Sequence, residues 1–126
     1  MSLESVKGVE IEEALRPIAS LIGKSEKARQ KLTPGTWQHT MLGENLKALH
    51  IASALMSGAA GDDGSFEPDD LREALRALNS MIGRCEKAQA KVSPGTSQHT
   101  LLRNRIRALC MAAELVGGAL KAPGSL

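Results

Sequence analysis

Along most of this chain apolar side chains return every three or four residues, the spacing that lines one face of an α-helix. Ile11, Leu15, Ile18, Ile22, Ser25 and Leu32 set the first line, widened by Ala14, Leu21 and Ala28. They predict a helix over about residues 9–31. Leu42, Leu46, Leu49, Ser53 and Met56, with His39 continuing the line downward, predict a second from Trp37 to about Met56. A third opens near Glu67-Pro68 and follows Leu71, Leu75, Leu78, Ile82, Cys85 and Val92. Proline suits the first helical position there, and Asp69 and Asp70 suit the positive end of the helix dipole. Leu102, Ile106, Leu109, Ala113 and Val116 predict a fourth, from Ser97 to about Leu120.

The chain reads as a duplication. Pro34-Gly35-Thr36-Trp37-Gln38-His39-Thr40 returns sixty residues later as Pro94-Gly95-Thr96-Ser97-Gln98-His99-Thr100. Residues 13–58 align with 73–118 without a gap, and about half the positions are identical, well above chance for a period of this size. Each Pro-Gly-Thr ends one helix and starts the next: proline stops the first, glycine takes backbone angles closed to other residues, and Thr36 or Thr96 caps the second. So short a link lays its helices antiparallel. The expected fold is an all-α, up-down-up-down four-helix bundle of two tandem-duplicated antiparallel hairpins, one domain over 1–126, with an acidic connector at 58–68. Two opened hairpins, each packing on a partner chain, form the rival arrangement.

Two departures from the helical pattern carry expectations. Pro17 should kink the first helix or delay its start, while its counterpart Ala77 leaves the third straight. Gly23 and Gly83 each weaken a helix by about 1 kcal/mol relative to alanine, and their retention in both copies suggests a close backbone approach. The apolar arcs of the second and fourth helices span roughly 200°, wider than one seam requires. Small residues four apart, Ala48 with Ala52 and Ala108 with Ala112, let helices approach closely there; inside one bundle they are ordinary core, with the helix central, and otherwise these four mark the expected interface of a homodimer burying the fourth helix and the second.

The composition has no Tyr, one Trp and one Phe, which favours helices meeting through aliphatic side chains. Charge divides unevenly. Residues 58–70 hold five acidic and no basic residues, and residues 71–126 hold nine basic against three acidic. Cys85 and Cys110 have Ser25 and His50 as counterparts and an expected axial offset of about 9 Å, too far for a bridge. A reducing, cytoplasmic setting follows. Residues 108–120, the most apolar stretch, fall below the roughly 20 needed to span a bilayer, so no membrane role is expected.

Candidate chemistry is sparse. Duplication sets His39 and His99 near one end with Gln38 and Gln98 beside them, and Glu26 and Glu86 about a turn deeper. Imidazoles ligate metals, but two without a well-placed carboxylate are a weak metal signature, and a structural part in the turns stands ahead of it. A basic stripe of Arg16, Lys24, Lys27 and Lys31 recurs as Arg76, Arg84, Lys87 and Lys91, joined by Arg103, Arg105 and Arg107. It could neutralise phosphates, yet no aromatics interleave it and Glu13 and Glu73 share its face. No nucleophile–base–orienter set, phosphate-binding glycine loop or zinc-spaced cluster occurs, and no cofactor is expected. The leading expectation is a small non-enzymatic helical interaction or oligomerisation module, homodimeric, with the duplicated hairpins as its scaffold; metal or small-ligand binding and nucleic-acid binding follow as alternatives.

Overall fold

The computed structural model describes residues 3–58 and 66–121, with side chains from residue 10 onward. Most of the acidic connector, including Asp62 and Asp63, lies outside the described residues, as do the first two and last five residues. Four helices make up the described chain: α1 (Leu3–Gln30), α2 (Trp37–Ser57), α3 (Pro68–Ala90) and α4 (Ser97–Lys121). Among the described residues there is no β-strand. The fold is all-helical, and its helices pack around a shared core in the manner of a bundle.

α1 runs unbroken through Pro17 and starts well before it, so the proline does not delay the helix. Losing one intrahelical hydrogen bond costs roughly 3 kcal/mol, and Ala14 and Ile18 are buried on either side of it. α2 ends at Gly58, whose φ of 77° lets its N–H reach the carbonyls of Ala54 and Leu55. α3 opens with Pro68 in its first turn and Asp69 and Asp70 behind it.

Ile18, Leu49, Leu78, Leu109 and Val116 are the largest side chains wholly removed from solvent, so every helix contributes to the centre. Burying each such aliphatic contributes roughly 1.5–3 kcal/mol. α2 and α4 each meet all three other helices, whereas α1 and α3 barely meet. α2 and α4 therefore occupy the short diagonal, which accounts for their wide apolar arcs. Ala48, Ala52, Ala108 and Ala112 are all at or below 1% exposed, so in the folded chain they are not free to line a surface for a second copy. Bringing them to a partner would require opening the bundle.

The glycine expectation is corrected. A Cβ added at Gly23 or Gly83 would meet nothing within 4 Å, so neither marks a close approach. The crowded glycine is Gly43, where a Cβ would lie 3.2 Å from the Arg29 guanidinium. Sixty residues on, Arg103 stands in place of Gly43 and Gln89 in place of Arg29.

Candidate functional site

The two Pro-Gly-Thr turns share one geometry. Gly35 and Gly95 take φ of 92° and 89°, in the left-handed region that favours glycine. The Thr36 hydroxyl donates to the Thr33 carbonyl at 2.8 Å and accepts the His39 amide at 3.3 Å. Thr96 does the same with Ser93 at 2.8 Å and His99 at 3.2 Å. Each histidine thus enters the cap through its backbone, and its ring is half-buried. Gln38, Gln98, Glu26 and Glu86 are exposed. Among the described residues no group of three or more His, Cys, Asp or Glu side chains is placed to hold a metal ion.

Lys24, Lys27, Lys31, Arg84, Lys87 and Lys91 are all exposed. Arg84 also reaches across to α2, where its Nη2 lies 2.8 Å from the Met41 Sδ. Arg105 behaves differently from the rest of the basic set. Its Nε and Nη2 are buried without a hydrogen bond, and its charge acts on the Cys85 thiol. Burial pushes that thiol up and Arg105 draws it partly back. The Cys110 thiol is also pushed up, by burial first and then by Glu86 and Glu114. Both cysteines are free.

Two grooves run between neighbouring helices, one along α2 and α3 and one along α1 and α4. Six α3 residues line the first: Asp70, Glu73, Ala74, Arg76, Ala77 and Ser80. The α1 residues lining the second are Glu10, Glu13, Ala14, Arg16, Pro17 and Ser20, the same positions sixty residues earlier. Facing them, Met41, Lys47, Ala48 and Ile51 correspond to Leu101, Arg107, Ala108 and Met111.

Equivalent positions are not equally closed. The α2–α3 groove has a volume of about 250 Å³ and the α1–α4 groove about 820 Å³. Ile51, Leu71 and Met81 are buried along the first seam, whereas Met111, Ile11 and Leu21 are only half-buried along the second. Met41 is half-covered, and Leu101 is 44% exposed. The difference has a local cause. Lys47 Nζ bonds Asp70 Oδ1 at 2.8 Å across the first seam, and Arg84 covers Met41. Among the described residues no such contact joins Arg107 to Glu10 or Lys24 to Leu101. The Asp70 hydrogen bond and charge, with a further contribution from Glu73, hold the Lys47 ammonium above its ordinary value against a small burial effect.

Sequence reading missed this contrast, because Met41 and Leu101, or Lys47 and Arg107, look interchangeable as residue types. Comparing the two copies along the side of each helix that faces the other hairpin was the available signal. No protein-family model, curated protein or solved structure matches the chain. The fold and the grooves therefore define its class no further than an all-helical protein of four packed helices, and no helix among the described residues is long and apolar enough to cross a membrane.

Proposed function

We propose that the chain is a small non-enzymatic helical-bundle protein, a single domain acting as an interaction and oligomerisation module and self-associating as a homodimer in a reducing, cytoplasmic setting. In this reading a hairpin was copied, and the copies pack as an up-down-up-down bundle about a pseudo-twofold axis along its length. The topology is supported by the order of contacts across the first seam. Lys47 meets Asp70, while Met41, nearer the start of α2, meets Arg84, nearer the end of α3. Antiparallel neighbours give that order, and the two tight turns favour antiparallel hairpins on either side. The copying is supported by the matched linings of the two grooves.

The functional reading is carried by the α1–α4 seam, which stays open with Leu101 44% exposed where its counterpart Met41 is half-covered. An apolar strip rimmed by charges marks a contact site, although Trp37, 69% exposed, also lies bare outside it. The non-enzymatic part rests on the sequence, where no catalytic set occurs. Sedimentation equilibrium over a wide concentration range tests the module. Self-association that Leu101→Glu weakens is the expected result, and a chain that stays strictly monomeric removes the reading.

A further inference from the structure

We infer that the α1–α4 face binds the same face of a second copy, turned antiparallel about a twofold axis that crosses the seam near Pro17 and Ala108. The inference rests on the homodimeric module and the antiparallel topology proposed above, and it names the surface and the orientation that they leave open.

Its basis is the order of side chains along the face. With α1 and α4 antiparallel, Glu10, Glu13 and Glu114 gather toward one end of the groove. Arg16 and Arg107 occupy the middle, where each falls beside its own symmetry mate, so they oppose the pairing and the two ends must outweigh them. Leu101 lies toward the other end, and Lys24 stands just beyond it, in the position from which its counterpart Arg84 reaches across the first seam. At 1.5 Å per residue, Glu10 and Lys24 are about 20 Å apart along α1. A face that is acidic at one end and basic at the other complements itself only when turned end for end, which is the condition an isologous contact imposes.

The same rotation matches the apolar positions. Leu101 and Met111 lie on opposite sides of the axis, so Leu101 falls against Met111 of the partner subunit, and the reverse. Both are left partly open in the single chain, whereas Ile51, the counterpart of Met111, is already buried. Polyanions fit this face poorly, because the three glutamates share the groove with its arginines. Charge pairs at the two ends of the face fix orientation more than they add affinity.

Charge reversal in two separate chains tests the arrangement. One chain carries Glu10→Lys with Glu13→Lys, and the other carries Lys24→Glu. Circular dichroism first verifies that both remain helical. Alone, each should dimerise at least about tenfold more weakly than the parent chain in sedimentation equilibrium, since like charges meet across the axis. Mixed in equal amounts, they should recover dimerisation, because both end contacts in the mixed pair are again between opposite charges. If the parent dimerises and the reversed chains do so equally well alone, or fail to recover on mixing, the inference is overturned while the module stands. A monomeric parent, or one that binds nucleic acid in place of itself, overturns both.

Discussion

Replacing the two cap threonines separates a structural from a ligand-binding part for the Gln-His-Thr repeat. In Thr36→Ala the His39 amide loses its acceptor at 3.3 Å and the Thr33 carbonyl its donor at 2.8 Å. Loss of a threonine cap costs about 1 kcal/mol, and a second, solvent-accessible hydrogen bond adds about 0.5 kcal/mol, giving roughly 1.5 kcal/mol. Thr96→Ala removes the same pair of bonds at a more exposed turn, for about 1 kcal/mol. The turns share no partners, so the double variant should lose about 2.5 kcal/mol, a large part of a typical total of roughly 5–15 kcal/mol. At about 4 °C per kcal/mol for a chain of this size, the melting temperature falls by about 10 °C. Urea titration followed by far-ultraviolet circular dichroism measures it, with an unchanged slope showing that the unfolded state is unaffected. Serine at both positions should restore most of the loss. His39→Ala with His99→Ala leaves both caps intact and should stay within about 0.5 kcal/mol of the parent. Should the histidine pair lose as much as the threonine pair, or the threonine pair lose almost nothing, the cap account is wrong.

The remaining predictions concern glycines and thiols. Gly83→Ala, in open space on a helix, should stabilise the fold by about 1 kcal/mol, whereas Gly95→Ala, at φ 89°, should destabilise it by about 1 kcal/mol or more; paired denaturation curves of opposite sign are the check. In a Cys110→Ser background, Cys85 should react with a disulfide reagent at pH 8 more slowly than a free thiol, and Arg105→Met should slow it further by removing the charge that draws its pKa down. Because Cys85 keeps its proton longer when folded, its contribution to stability falls as the pH rises past the ordinary thiol value near 9. The same Arg105→Met change removes two buried, unpartnered donors and should raise stability at pH 7 by about 1 kcal/mol, read from urea midpoints.

The helices and both turns were legible in the sequence because their causes are local. Apolar spacing set the helices, and Pro34-Gly35-Thr36 with its repeat set the turns to within a residue or two. What the sequence withheld depends on which helix lies opposite. Ile51 and Met111 stand sixty residues apart in matching sequence, yet Ile51 is buried and Met111 half-buried, and the first seam alone has its Lys47–Asp70 and Arg84–Met41 contacts among the described residues. Gly23 and Gly83 misled because retention in both copies was read as crowding. Gly43, the crowded glycine, was retained in neither sense, since its counterpart is an arginine. The wide arcs of α2 and α4 were visible as patterns, but a pattern cannot distinguish a face turned to a partner chain from one turned to the other diagonal helix.

That diagonal gives the molecule a spine and two outer staves. α1 and α3 lean on α2 and α4 but scarcely on each other, so either stave can loosen at its own edge without first disturbing its opposite number. Away from buried positions such as Ile18 and Leu78, mutational tolerance should be distributed in the same way, generous on the outward faces of the staves and narrow along the spine, where a single added methyl group would be felt by three neighbours at once.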